Sequence, residues 1–552
     1  MTTEKLKFIA LSGTISVTEN LYVYEYGDDM VVLDCGVGFP DLEMHGVDLV
    51  IPDFSYIVQN KHKLKGIVIS QGHEDHLGAL PFLFKEVRAE VWASPLVARF
   101  IEDKFDENKG VMKPKINVFN PESDDFRVGA FRFYPFRVTH SVPDTCGFAI
   151  DTPQGRVFHV PEHKMDQNPV DGMPFDIPRA KSLANGNILF LASDCLGSNK
   201  PGMVGGERHI EDNIFKIVDK AKSTVFFTAI SSNIGRFQQA INVAERVGRK
   251  VVFVGRSVQK KCEISKDLGI LKYKSDTVIS IKEADDYYPN KLFYIIAGCY
   301  GQPGSSLYRL SLGEHERVGV EEGDTLIFSA DPAPDYSKES ENFVIDNFID
   351  KGVDVHYYDL DEGLYVSGHG GQGDITELFK IVNPRYFIPI GGAIRFMHAY
   401  EKLVEGFGAT KDRVFKLKPG NSVVFEDGKA TKGESIRVKS VLVHGLGVGD
   451  VGRVVLGDRA VLGNEGVVVC ILKINKSQRL VEKPKIVSRG FVFEKISKDL
   501  LLKGAQGLKG LVDAKKQIDE NSIREEAENY LEKFFFKQTG RKPMILPVVV
   551  GV

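Results

Sequence analysis

Long hydrophobic runs are absent from this chain. No stretch of about 18 apolar residues occurs, which excludes a membrane-spanning helix as an expectation. The first residues, Met1-Thr2-Thr3-Glu4-Lys5, carry no apolar core of the kind a secretory signal needs. Thiols are few. Cys35, Cys146, Cys195, Cys262, Cys299 and Cys470 are scattered, with no Cys-x-x-Cys pair. That argues against a thiolate zinc site or a disulfide framework and for reduced, buried thiols in a cytoplasm. A charge excess of one sign is missing too: 71 Lys and Arg against 75 Asp and Glu leave a net charge of -4. A nucleic-acid partner would have to be held by a local basic groove. There is no internal repeat and no low-complexity tract.

The composition, 43% hydrophobic and 26% charged, is that of a globular protein. At 552 residues the chain is too long for one core, and about two to four domains are expected. Residues 21–26 alternate, 30–33 form an apolar run ending at Asp34, and 67–70 form another that runs into a polar loop. Residues 77–84 read as a helix after that loop. Strands are expected again at 131–139, 156–160 and 188–192. After about residue 205 the pattern changes to a helix–strand rhythm, with apolar strands at 225–228, 251–254 and 292–297 and a helix at 237–247. That is the signature of a parallel sheet. The N-terminal pattern returns near residues 365–369 and 386–390, so one domain is expected to be inserted into another. The Gly- and Lys-rich residues 427–435 read as a linker. The last helix is expected to start at Ser522 with Glu525 completing a capping box, to bury Ile523, Ala527, Tyr530, Leu531, Phe534 and Phe535 on one face, and to stop at Gly540.

The chemistry is concentrated in Gln71-Gly72-His73-Glu74-Asp75-His76. A strand ending in a tight loop can aim several side chains at one point, and imidazoles with carboxylates suit Zn²⁺ or Mn²⁺. The plainer reading is a solvated polar turn. Gly72-His73-Glu74-Asp75-His76 resembles the signature of metallo-β-lactamase-fold hydrolases. Further segments resemble the β-CASP branch and, within it, the ribonuclease J family. They are Gly46-Val47-Asp48-Leu49-Val50-Ile51-Pro52-Asp53, Asn233-Ile234-Gly235-Arg236-Phe237-Gln238-Gln239 and Val254-Gly255-Arg256-Ser257, together with Asp450-Val451-Gly452, Ser488-Arg489-Gly490-Phe491-Val492 and Arg541-Lys542-Pro543-Met544-Ile545-Leu546-Pro547. The resemblance implies an α/β fold: a metallo-β-lactamase αββα sandwich (residues 1–205 and 361–428) with an inserted β-CASP domain on a parallel sheet (206–360). A linker (429–452) and a small α/β C-terminal domain (453–552) would follow.

The resemblance also implies phosphodiester hydrolysis by two metal ions roughly 3.5–4 Å apart, held by a His-x-His-x-Asp-His loop, a later histidine, a bridging aspartate and a distant histidine. His73, Asp75, His76 and His140 match by position. Three positions depart: Gln71 stands for the first loop histidine, Glu162 for the bridging aspartate and Gly391 for the distant histidine. His73, His140 and Glu162 would retain a His₂Glu set for one zinc ion, while Asp75 and His76 would have to share Glu162. His159 and His163 could supply a replacement ligand, against the plainer reading as strand or loop surface residues. His369 matches the family's general acid or phosphate contact and Asp194 the acid that orients it, a pairing suited to proton donation. Ser367, Gly368 and His369 are expected at a phosphate, with Arg236, Arg249, Lys250 and Arg256 as basic contacts or else as solvated surface charges. Gly370-Gly371 lacks the serine that the family places after this histidine. Gly298-Cys299-Tyr300-Gly301-Gln302-Pro303 and Ser12-Gly13-Thr14-Ile15-Ser16 depart as well.

Two functions follow as expectations. One is a ribonuclease of the 5′→3′ and endonucleolytic kind, with one or two Zn²⁺ ions or Mn²⁺, weakened by the missing ligands. The other is an inactive RNA-binding subunit paired with an active paralogue through the C-terminal domain. A homodimer or tetramer formed through that same domain is also expected. A small-molecule hydrolase is disfavoured, because it has no use for the inserted domain and long tail.

Overall fold

The computed structural model describes residues 4–552 apart from 42, 334–336, 361–362, 446, 478, 494–495 and 516–518. The apolar runs read from the sequence become strands of two stacked sheets. One has eight strands, in spatial order Lys429–Lys432, Asn421–Glu426, Leu6–Ala10, Tyr22–Tyr26, Asp29–Leu33, Leu64–Val68, Val91–Ala93 and Ile116–Val118. The other has six, in the order Tyr386–Ile390, Ile188–Asp194, Gly155–Val160, Cys146–Thr152, Phe131–Arg137 and Phe126–Val128. Their inner faces meet in one apolar core that includes Phe8, Tyr24, Val31, Phe131, Phe148, Phe190 and Phe425. The outer face of the six-stranded sheet packs on helices Gln372–Val382 and Ile394–Gly406 through Leu378, Phe379, Met397 and Tyr400.

Ile188–Asp194 pairs in parallel with Tyr386–Ile390, Asp194 opposite Ile390. Strands adjacent in space are thus far apart in sequence, and the excursion between them is the inserted domain. It carries a five-stranded, all-parallel sheet in the order Lys250–Val254, Leu292–Ile296, Val225–Thr228, Thr325–Phe328 and Asp354–His356. The chain divides into two compact units: residues 1–39 with 49–441, and residues 40–48 with 442–552. In the second, strands Lys485–Arg489, Val467–Ile474 and Met544–Gly551 form a sheet. Helices Lys498–Asp513 and Glu520–Thr539 pack on it through Leu508, Ile523, Ala527, Leu531 and Phe535.

Three local expectations are corrected. The single helix expected over 77–84 is two short ones, Glu74–Leu77 and Leu80–Leu83. Pro81 lacks the N–H that a continuous helix would use there, and its ring would crowd the carbonyl of Leu77. The expected linker at 427–435 contains a hairpin strand, Lys429–Lys432, on Asn421–Glu426. Asp427 (φ 49°) and Gly428 (φ 73°) both take the left-handed conformation, which suits the tight turn that Asp-Gly favours between strands. The last helix begins at Glu520, two residues early, because the Asp519 side chain accepts from Ser522 N at 3.0 Å. Its end at Gly540 (φ 72°) is as expected.

One buried ion triad ties the inserted domain to the sandwich. Glu207 accepts from Lys164 Nζ at 2.5 Å and from Arg236 Nη2 at 2.9 Å, and all three side chains are buried. Arg236 Nη1 also donates to Ser329 O, Ser329 Oγ and Leu364 O. A buried cation is tolerated only when paired. Replacing Glu207 by Ala strands two of them, so Glu207→Ala should lower unfolding stability by about 3–5 kcal/mol. Urea titration of variant and wild type measures this.

Candidate metal centre

The loop that follows Leu64–Val68 is seated by backbone contact. Cys35 N donates to His76 O at 2.7 Å and Val37 N to Glu74 O at 3.1 Å. Between them, a Cβ added to Gly36 would lie 1.6 Å from Asp75 O. Only glycine lets the end of Asp29–Leu33 approach the loop this closely.

His76 is the hub. Its Nδ1 donates to Asp34 Oδ2 at 2.8 Å, and Asp34 also accepts from Ser70 N and Ser70 Oγ. Two amides face its Nε2: Gln71 Nε2 at 2.9 Å and Asn20 Nδ2 at 3.1 Å. Gln71 Nε2 also donates to Glu162 Oε2 at 2.7 Å. Asp75 Oδ2 lies 3.8 Å and Glu162 Oε1 3.5 Å from His76 Nε2. Asp75, His76 and Glu162 each offer a donor atom within 4.8 Å of the others, and among the described residues no other group of three His, Cys, Asp or Glu does so.

The expected His₂Glu set of His73, His140 and Glu162 is not grouped this closely, although the His73 and His140 rings lie 5.0 Å apart. His140 Nε2 lies 3.0 Å from Glu162 Oε2, with Nδ1 2.9 Å from Gly368 O. His73 is engaged elsewhere: Nε2 with Ser141 Oγ at 2.7 Å and Nδ1 with Ser232 Oγ of the inserted domain at 2.8 Å. His369 Nδ1 lies 2.8 Å from Asp194 Oδ2, and its backbone N–H donates to Ser367 Oγ. Gly391 takes φ 65°, and a Cβ there would meet only Asp194 Oδ1, at 3.5 Å.

The electrostatics follow from burying several carboxylates together. Burial, then the neighbouring Glu162, push Asp75 up to about 7. Burial would raise Glu162 too, but His76, His369 and a hydrogen bond from His140 outweigh it and hold this carboxyl well below its usual range. Burial disfavours charge on His76, yet Asp34, Glu162 and Asp75 prevail and raise its proton affinity. The space before Nε2 therefore attracts positive charge, and a proton, an amide N–H or a cation would compete for it. His369 is pushed up to about 9, Asp194 and Glu162 outweighing burial. Burial and His140 hold His73 well below the ordinary histidine value.

The donor set does not fit a pair of ions. Position 391 has no side chain, Gln71 presents N–H groups where an imidazole lone pair is needed, and both nitrogens of His73 are hydrogen-bonded. Two carboxylates and one imidazole form a close donor group for one ion, with His140 Nε2 beside Glu162 at 3.0 Å.

Several other expectations are corrected. His159 is buried inside the sandwich, Nδ1 3.0 Å from Tyr24 OH, and burial lowers it to about 4. His163 is buried, its Nδ1 beside Pro161 O. Neither is a surface residue, and neither joins the donor group. Arg236 belongs to the buried triad and is unavailable to a phosphate. Arg249 is also buried, donating to the carbonyls of Ala221, Ser223 and Leu292. Lys250 pairs with Asp276. Arg256, by contrast, is exposed beside Glu107, a placement that its readings as phosphate contact and as solvated surface charge share. The sequence reading missed Asn20, Asp34, Ser141 and Ser232. Only Asp34 gave a signal, as an acid closing an apolar strand beside the metal loop.

Comparison with known proteins agrees with this architecture. Residues 30–171 match the β-lactamase superfamily domain, 222–348 the ribonuclease J β-CASP domain and 454–552 the ribonuclease J C-terminal domain. Ribonuclease J 1 of Streptococcus pyogenes is 31% identical over 98% of this chain and 97% of its own. Ribonuclease J 2 of Staphylococcus aureus is 30% identical over 99% and 98%. A crystal structure of a protein of unknown function from Enterococcus faecalis V583 shares the fold, with a TM-score of 0.52 at 12% identity, covering 76% of this chain and all of its own. With all three domains matched in order and relatives aligned nearly end to end, the chain belongs to the ribonuclease J family.

Proposed function

We propose that this chain is an RNA-processing and decay protein of the ribonuclease J type, acting in the cytoplasm, whose phosphodiester-hydrolysing capacity is weakened. The observation that carries the reading is an uneven loss. The Asp194–His369 pair is intact at 2.8 Å, while among the described residues only Asp75, His76 and Glu162 are closely grouped as donors. A family hydrolase needs both halves. His369, held toward its protonated form, can still present a cationic N–H to a phosphate oxygen of RNA. The ion for the remaining three donors is a single Zn²⁺ or Mn²⁺, weakly held, since an incomplete donor set lowers affinity. Among the described residues no helix is long and apolar enough to cross a membrane.

A second reading, a partner subunit that binds RNA beside an active paralogue, is favoured by one surface. In the unit of residues 40–48 and 442–552, strand Met544–Gly551 lies at the sheet edge with Leu546, Val548 and Val550 exposed. An apolar strand edge of this kind invites pairing with another chain. The same edge would serve a homodimer.

RNA binding should persist and weaken with salt, with log K falling linearly in log salt. Degradation of a 5′-monophosphorylated RNA should be slow in wild type and slower in His76→Ala; equal background in both would leave no hydrolase at this site. For His369, the folded value near 9 exceeds the ordinary 6.5. Its contribution to stability is therefore complete below about pH 6.5 and is lost as pH rises through 9. Histidine-selective NMR should place the His369 midpoint near 9, and Asp194→Asn should move it down. Val548→Lys with Val550→Lys should reduce the particle mass seen by light scattering if this edge assembles.

A further inference from the structure

Gln71 is more than a missing histidine. Its side chain is fully buried, and its Nε2 makes two short contacts at once, 2.7 Å to Glu162 Oε2 and 2.9 Å to His76 Nε2. Those two atoms belong to two of the three remaining donor residues. An amide –NH₂ has two hydrogens, which is what the pair requires: one for a carboxylate and one for an imidazole lone pair. His76 offers that lone pair in its neutral tautomer, the one whose single proton sits on Nδ1 and faces Asp34.

We propose that the Gln71 amide occupies the cation's position, bridging Glu162 and His76 by hydrogen bonds, and so competes with any divalent ion for the same donor atoms. The inference rests on the weakened-centre reading and explains it from inside the chain. The charge-assisted bond to Glu162 must break before a cation can use that oxygen. The amide oxygen, Oε1, is buried with no hydrogen-bond partner. One end of the side chain is therefore fully used and the other not at all, the mark of a group held by its donor end. Asn20 Nδ2 also lies 3.1 Å from this nitrogen, but it faces Val17 O and Asp75 O as well, so Gln71 is the nearer donor to the one lone pair.

Competition and ligation predict opposite signs. If Gln71 competes, Gln71→Ala and the volume-matched Gln71→Met should tighten Mn²⁺ binding at least tenfold, read as loss of the free Mn²⁺ paramagnetic resonance signal. If Gln71 is a ligand or a bystander, both variants will bind Mn²⁺ more weakly or unchanged, and the proposal falls. A wild-type measurement covers the case in which neither variant folds. About 1 mM Mn²⁺ should raise the wild-type thermal midpoint by no more than about one degree over EDTA, because a weakly held ion contributes little binding free energy to the folded state. A rise of several degrees with Mn²⁺ would overturn the proposal. RNA binding, measured in EDTA on the same samples, separates the two claims: its loss would sink the ribonuclease J reading while leaving the Gln71 competition to be judged by Mn²⁺ alone.

Discussion

Buried negative charge at the end of Leu64–Val68 is the constraint around which the site is organised. Asp34, Asp75 and Glu162 lie about one imidazole, and isolating such groups from water is costly unless something positive answers them. In this chain the answers come from polar hydrogens. Asp34 takes two from Ser70 and one from His76. Glu162 takes one from Gln71 and lies against His140. Burial, then the neighbouring Glu162, raises the Asp75 carboxyl to about 7. The distribution shows where a cation would relieve most and where the protein has already relieved itself.

The same physics acts across the boundary between sandwich and insert. Lys164 stands two residues from Glu162 and meets Glu207, which also holds Arg236 at the start of helix Ile234–Arg246. Ser232, four residues before Arg236, reaches His73. The clamp and the His73 contact thus share one short segment of the inserted domain. An arginine that reads as a phosphate contact in isolation is a structural cation, because the triad and two carbonyls enclose its guanidinium.

Much of the fold was legible because periodicity and turn chemistry are local. The strands Val225–Thr228 and Tyr386–Ile390 fall where the apolar runs predict them. The insertion was legible as a change of pattern and is fixed by the parallel pairing of Asp194 with Ile390. Errors arose where a local device competed with a pattern. Pro81 divided a helix, Asp427-Gly428 turned a supposed linker into a hairpin, and Asp519 capped a helix earlier than Ser522 could. At the site, the identities of His73, Asp75, His76, His140, Glu162 and His369 were legible from the motif, and so were the departures at Gln71 and Gly391. Their grouping was not.

Residue type and order were enough to establish which donors exist, which are lost and which family's architecture carries them. Folding in three dimensions settled the rest: Asp75, His76 and Glu162 stay together while His73 turns to two serines, and Gln71 bridges rather than merely fails to ligate. Those outcomes depend on distances between residues as far apart in the chain as 71 and 162, or 73 and 232. Hydrogen-bond energy falls off steeply with distance and angle, so no pattern along the chain can specify it before the sheets and the inserted domain have closed around the loop.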